Sequence, residues 1–444
     1  MKQASYLSRF ARYSLLSVLG TLGVSCYILA DTFFISNGIG TDGLAALNIS
    51  IPIYNFIYGI GLMFGMGGAT KFSICKSLHD TQKTDSIYTN TVYLSLVFGL
   101  LFSLAGFLFS RPLASLLGAN AEILDMTNTY LRWLMLFAPA FIMNNVLVCF
   151  VRNDDNPLIV TIAMLVGSFS NIILDYIFIF PMNLGIFGAV FATAASPLIS
   201  MAVMSLHWIK RKNTFHMAKC RLQRDIVRQD ISLGFPSLIS QVAFGVVMII
   251  FNMLILNLEG NVGVAAYGVI ANISLVVISI YTGIAQGVQP LISESYGSGD
   301  KKHIKLGLRY ALLTITVLSA VIYFIIFAFA TPITAAFNSE GNARLYDIAV
   351  PGLKLYFSSV FFIGFNTVLA TFFTSVEKTI PAHVLSLLRG LILIVPMAFL
   401  LSALWGMTGI WLTYLITEGI VAVLGCIFYF ALNSMTTLNK SPSR

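Results

Sequence analysis

Charge is what this 444-residue sequence has least of: Asp, Glu, Lys and Arg make up 10% of it, against 57% apolar and aromatic residues and a mean hydropathy of +0.86. A soluble globular chain carries about 25% charged residues. The two or three water-soluble domains that the length would otherwise suggest are excluded, because too little polar surface exists to cover them. Alternating strand-type segments of about ten residues are missing, while apolar runs of about twenty recur along the chain, so the spans are helices rather than barrel strands. Cysteine is scarce too. Cys26, Cys75, Cys149, Cys220 and Cys426 form an odd, scattered set with no Cys-x-x-Cys pair, which excludes a disulfide framework and leaves apolar fillers in a reducing or lipid setting. No His-x-x-His, Gly-x-Ser-x-Gly, His-Glu-x-x-His or Gly-x-x-x-x-Gly-Lys phosphate loop occurs, so an integral membrane enzyme is a weak alternative and no cofactor is called for.

What is present is a series of apolar runs bounded by charge, Pro or Gly. They predict an all-α polytopic membrane protein with helices near 13–38, 46–73, 87–109, 127–151, 158–180, 185–209, 231–258, 265–292, 306–330, 349–373, 380–401 and 405–432. The basic start (Lys2, Arg9, Arg12) leads into an apolar stretch that runs to about Ile39 with no cleavage pattern, so the first run is read as a retained span rather than a secretory signal. Twelve spans put both termini on one face. Of the 26 Lys and Arg residues, all but Arg111, Arg132, Arg344 and Lys354 then collect on that face, which the positive-inside rule makes cytoplasmic, in a plasma membrane setting. The net charge of +8 is therefore topology, not a nucleic-acid footprint. Its densest part, 210–230, sets Leu222, Ile226 and Val227 against the bases Lys219, Arg221, Arg224 and Arg228. That pattern predicts a partly helical cytoplasmic linker held on anionic lipid, joining an N-terminal lobe (1–209) to a C-terminal lobe (231–444).

A shift of 220 residues overlays the two halves. Gly40-Thr-Asp-Gly43-Leu-Ala-Ala46 meets Gly260-Asn-Val-Gly263-Val-Ala-Ala266, Asp80 meets Asp300, and Pro112 meets Pro332. With slightly larger shifts Asn144-Asn-Val-Leu147 meets Asn366-Thr-Val-Leu369, and Gly185-Ile-Phe-Gly188 meets Gly406-Met-Thr-Gly409. Six spans per half make these parallel repeats about an axis along the membrane normal, two bundles facing each other across a cleft. Charge breaks the symmetry. Asp31 in the first span meets Phe251, and Asp175 in the fifth has no acidic counterpart near Phe399. A carboxylate in the bilayer costs at least about 2.5–3.5 kcal/mol unless it faces protein or water, so these two acids are the leading functional candidates. Helical spacing of four sets Tyr27 beside Asp31 and Asn171 beside Asp175, giving oxygen ligands for a small cation or bonds that hold a proton. Glu418 in the last span meets Pro197 and is a further candidate, for coupling or for a helix contact. Arg389, His383 and His207 are read as snorkelling to the interface. The 35 Phe and 16 Met suit an adaptable, promiscuous cavity lining.

The Asp31-Thr-Phe-Phe-Ile helix with its following Gly-Thr-Asp-Gly-Leu-Ala-Ala, and the stretch Gly283-Ile-Ala-Gln-Gly-Val-Gln-Pro290-Leu-Ile-Ser-Glu-Ser-Tyr-Gly297, resemble the multidrug and toxic compound extrusion (MATE) family over essentially the whole chain. The resemblance implies twelve helices in two rocking lobes that export amphipathic, often cationic compounds by antiport with H+ or Na+. In one branch of the family the coupling site is a helix 1 Asp, an Asn-x-x-x-Asp in helix 5 and a Thr in helix 6, which fall here on Asp31, Asn171, Asp175 and Thr193; a Na+ ion would use the same four. The other branch uses acids in helices 7 and 10, and 231–258 and 349–373 contain none. Tyr130, Asn144 and Asn145 are similar to the family's first-lobe cavity residues; Tyr27 and Glu418, read from spacing and from the repeat, are further candidates for a substrate or coupling cavity. Where family members often carry a helix 1 Pro, this chain has Gly20 and Gly23. The expected partners are small amphipathic molecules and the bilayer, with no nucleic acid, and the chain is expected to act as a monomer. A lipid-linked saccharide flippase of the related superfamily is the alternative transport reading, disfavoured by the lack of Arg or Lys at mid-span.

Overall fold

A computed structural model of the protein describes residues 5–338 and 342–438, the last six by backbone alone; Lys2, Lys440 and Arg444, counted above on the basic face, lie outside them. The first half comprises α1 (Tyr6–Gly38), α2 (Thr41–Ser77), α3 (Thr81–Leu116), α4 (Leu124–Leu136), α5 (Ala138–Asn153), α6 (Pro157–Ile179), α7 (Gly185–Met204) and a last turn α8 (Leu206–Ile209). The second comprises α9 (Arg224–Gly297), α10 (Lys301–Phe337), α11 (Ala343–Tyr356), α12 (Val360–Ser375), α13 (Thr379–Leu387) and α14 (Ile394–Leu438).

The 74 residues of α9 would reach roughly 110 Å if straight, far more than a hydrocarbon core of about 30 Å. Its helical course breaks at Gly260 (φ 64°), and that of α14 breaks at Gly406 (φ 56°), so each contributes an outgoing and a returning limb. Their repeat mates Gly40 (φ 93°) and Gly185 (φ 57°) hold the same left-handed conformation, which only glycine adopts without strain. The fourth crossing is α4 and α5, bent by 48° at Phe137, with Pro139 in the first turn of α5 where a missing N–H costs nothing. A 3₁₀ turn, Phe357–Ser359, joins α11 to α12 in the tenth, and a π-helical stretch, Leu388–Ile392, joins α13 to the eleventh. Twelve crossings result, in two lobes. The pseudo-repeat extends to the caps: the Asp80 carboxylate accepts from the Lys83 N–H at 3.0 Å, and Asp300 accepts from the N–H groups of Lys302 and His303 at 3.1 Å.

Each lobe has its own apolar core. Phe64, Phe72, Phe141 and Phe150 lie in the first, and Phe251, Tyr267, Tyr356 and Trp411 in the second; Phe10 and Tyr13 from the start of α1 cross over to join the second. The connection from 210 is helical only from Arg224 onward. Residues before it are seated on the first lobe. Phe215 is fully buried among Phe72, Tyr88, Phe150 and Trp208. The backbone N–H groups of His216, Ala218 and Gln223 donate to Asp85, Thr89 and Asn90 of α3 at 2.7–2.8 Å.

Candidate functional site

Two adjacent polar regions form inside the first lobe. In the deeper one, α1 supplies Asp31, α6 supplies Asn171 and Asp175 one turn apart, and α7 supplies Thr193; all four are buried. Asn171 stands between its neighbours. With its amide nitrogen toward Asp175 it donates to Oδ2 at 3.1 Å, and its oxygen accepts from the Thr193 N–H at 3.2 Å. The two carboxylates are within electrostatic reach of each other, and Tyr130 on α4 is within reach of both. Among the described residues neither Asp31 Oδ1 nor Asp175 Oδ1 has a hydrogen-bond partner. Buried oxygens without donors are costly and are expected to receive a proton or a cation.

The second region is a cavity of about 50 Å³, room for roughly three or four waters. Tyr27, Asn144, Asn145 and Thr193 line it, so Thr193 belongs to both regions. Its wall is aromatic: the Tyr27 and Tyr54 hydroxyls are 2.7 Å apart, Tyr58 stacks on Tyr54, and Phe141 meets Tyr54 edge-on. Asn145 donates to the Tyr58 carbonyl at 3.4 Å, while Asn144 Oδ1 is buried without a partner. Such a lining offers π faces to a cation and apolar surface to the rest of a molecule.

Glu418 is not part of this assembly. It sits in the second lobe, buried, where Arg389 donates from Nε to Oε1 at 3.1 Å and Asn366 donates to Oε2 at 2.6 Å. Arg389 therefore does not snorkel; it turns inward to a carboxylate. His207 does not snorkel either, being buried with Nε2 2.9 Å from Asp154 Oδ2, and His383 is turned onto the Ser232 carbonyl at 2.6 Å. Glu259, beyond the seventh span, is held by Arg344 at 2.7 Å.

The lobes meet along the basic face. Gln286 and Gln289 of α9 are the centre of the contact: Arg152 donates to Gln286 at 2.8 Å, Asn153 donates to Gln289 at 3.0 Å, and Gln289 donates to Thr70 at 3.0 Å. Arg9–Glu294 and Lys71–Glu377 ion pairs flank it, and Thr91 donates to the buried Asp230 at 2.7 Å. Further into the membrane Thr21 donates to the Ser279 carbonyl at 2.8 Å. A Cβ on Gly283 would stand 2.6 Å from the Val18 Cα, and one on Gly287 2.7 Å from the Ser14 Cα, so glycine there lets α9 press directly on α1. Sequence reasoning assigned these glutamines no role, although they stand in the Gly283–Gly297 motif; Gln at a three-residue spacing between glycines inside an apolar span was the available signal.

A family model described as MatE matches residues 17–177 and 236–400, most of both lobes. The chain belongs to the MatE family. It is accordingly a multi-pass membrane transporter, not an enzyme. Multidrug export protein MepA of Staphylococcus saprophyticus is 27% identical to it over 99% of this chain and 97% of that protein. Its namesake in Staphylococcus aureus strain MRSA252 is 25% identical over 97% and 94%. The fold is similar to that of a multidrug resistance MATE family transporter in an outward-facing conformation (TM-score 0.89, 22% identity, 99% and 98% covered). It is equally similar to that of a mutant of the Vibrio cholerae MATE transporter VcmN (TM-score 0.89, 22% identity, 97% and 98% covered). A MatE transporter closed along one face, with the acids Asp31 and Asp175 buried together in the first lobe, is thus the frame for the function.

Proposed function

We propose that the protein exports amphipathic small molecules, cations among them, by antiport with H+ or Na+, the two lobes (1–209 and 231–444, joined by 210–230) alternating in access. The observation that carries the coupling is the pair Asp31 and Asp175, buried in one lobe, each with an oxygen lacking a donor. When both are ionised they repel, and a bound H+ or Na+ removes part of that repulsion. Asn171 and Thr193 hold the pair, and Thr193 and Tyr27 carry the change to the cavity wall. Ion and drug must prefer different states, since a ligand with equal affinity for both shifts neither. The multidrug export role of the MepA relatives supports the substrate class. The flippase alternative needs a basic cleft; among the described residues Arg152 is the buried guanidinium, and the partly buried Arg389 is neutralised by Glu418.

The basic face is read as cytoplasmic, with both termini on it and the protein in the plasma membrane as a monomer, without nucleic acid. Labelling of Cys220 by a membrane-impermeant thiol reagent from outside intact cells would overturn that orientation. The transport reading is tested by export of a fluorescent cation from proteoliposomes under separately imposed pH and Na+ gradients. One gradient should drive accumulation; export under neither sinks the antiport mechanism.

A further inference from the structure

A second groove lies far from the acids, on the outer surface of the second lobe, where α10 and α14 both pack on α12. It encloses about 370 Å³ and is lined by Leu308, Leu312 and Leu313 of α10, Phe365 and Leu369 of α12, and Tyr429 of α14, among others. Its rim is open to the surroundings of the protein, with Leu313 52% and Phe430 68% exposed. On a helix inside a bilayer that exposure is to acyl chains.

One end of the groove is different. Lys305 and Arg309, one helical turn apart on α10, line it toward the basic face. Neither has a hydrogen bond or ion pair among the described residues. The acids nearest in the chain are already engaged, Glu294 with Arg9 and Asp300 with His303. Two unpaired bases at headgroup depth above an apolar trough present, in order, what an anionic phospholipid carries: a phosphate, then hydrocarbon.

We propose that this groove is a binding site for one anionic phospholipid of the leaflet on the basic face, its phosphate held by Lys305 and Arg309 and an acyl chain lying between α10 and α14 over Phe365 and Leu369. The lipid spans α10 and α14, which also share α9, α11 and α12 as neighbours, and its occupancy adds a further tie within the second lobe.

The test uses the full chain, delipidated in detergent, with dioleoylphosphatidylglycerol or dioleoylphosphatidylcholine added back, read by native mass spectrometry and by thermal melting. Phosphatidylglycerol should be retained and raise Tm well above phosphatidylcholine, and excess inorganic phosphate should not displace it. Lys305→Ala with Arg309→Ala should weaken phosphatidylglycerol retention roughly 25-fold, about fivefold per base. Lys301→Ala with Lys302→Ala, the same charge removed a turn away, should leave it unchanged. Leu313→Trp, which fills the trough, should reduce retention of both lipids. Equal losses in the two double variants, equal binding of the two lipids, or displacement by phosphate would overturn the site. Because the measurement is made in micelles, it is independent of orientation and of any ion gradient, so its failure leaves the antiport reading standing and the converse holds.

Discussion

Arg389 and Glu418 form a partly buried ion pair in the second lobe, with 3.0 Å between Nη2 and Oε1 and side chains 15% and 2% exposed. The surroundings complete it: Thr367 Oγ1 accepts from Nη1 at 3.0 Å, and Asn366 donates both to the carboxylate and, at 2.8 Å, to the Glu418 carbonyl. A fully engaged pair carries no free charge for transport. Asp31 and Asp175 of the first lobe are the opposite case, each with an unpartnered oxygen in the interior. The repeat thus sets an electrically closed pair, Arg389 and Glu418, against two electrically responsive acids, Asp31 and Asp175.

Breaking the closed pair should harm folding more than transport. Glu418→Gln leaves the Arg389 guanidinium partly buried with a neutral partner, at a cost of roughly 3 kcal/mol. Arg389→Met with Glu418→Leu together should recover most of that loss. Melting in detergent of Arg389→Met, Glu418→Leu and the double variant reads the coupling; additive losses would contradict a paired role. Folded Glu418→Gln should still export under a gradient.

Acid should loosen the first lobe at a particular place. Asp154, in the turn between α5 and α6, is pushed up by burial, but bonds from His207, Lys76 and Thr214 outweigh this and bring its carboxyl down to about 2. A folded-state value below the unfolded one contributes stability that is complete above the unfolded value of 3.8 and is lost as pH falls from there through about 2. The contribution at neutral pH is about 2 kcal/mol. Asp154→Asn should lower Tm at pH 7 and flatten the decline of Tm between about pH 4 and pH 2. An unchanged acid limb in the variant would refute the assignment.

The twelve crossings, the repeat and the acid pair were legible in the sequence because each rests on a local pattern: apolar length, a fixed offset, a charge where lipid forbids one. The rest depends on rotation about helix axes that hydropathy does not report. Arg389 reads as an interfacial base until the π-helical stretch Leu388–Ile392 turns it toward Glu418. His207 and Asp154 lie 53 residues apart and meet only after α6 and α7 have packed. Phe215 reads as one apolar residue in a basic linker, and its aromatic seat is drawn from α2, α3, α5 and α8.

The glycine seam should set the balance between states. At Gly287 an added Cβ would meet the Ser14 Cα at 2.7 Å and the Tyr13 carbonyl at 2.8 Å, backbone atoms that cannot swing aside. Overpacking of this kind costs about 1–3 kcal/mol, and separating α1 from α9 on the basic face relieves it. Gly287→Ala should therefore favour opening on that face, and Gln289→Ala, which removes the bonds to Thr70 and Asn153, should act in the same direction. Spin-label distances across the seam in liposomes should lengthen in both variants. Unaltered distance distributions would show that the seam is not what holds the face closed.

The responsive acids give the last prediction. Asp31→Asn and Asp175→Asn each remove the charge that a proton or Na+ would neutralise while preserving side-chain volume, so insertion and melting should change little. Asparagine even relieves the cost of a buried carboxylate lacking a donor on Oδ1. Gradient-driven efflux should nonetheless fall to background in each, because the two lobes' orientations no longer differ in affinity for the ion. Thr193→Ala should be milder: the Asn171 amide can accept from the Thr193 N–H without the side-chain hydroxyl. Substrate binding should persist in Asp31→Asn and Asp175→Asn, since neither residue lines the cavity. The decisive measurement pairs binding of a fluorescent cation with its export from proteoliposomes under an imposed gradient. Retained binding with lost export supports ion coupling through this pair, whereas full gradient-driven export by the Asp31→Asn, Asp175→Asn double variant would place the coupling elsewhere.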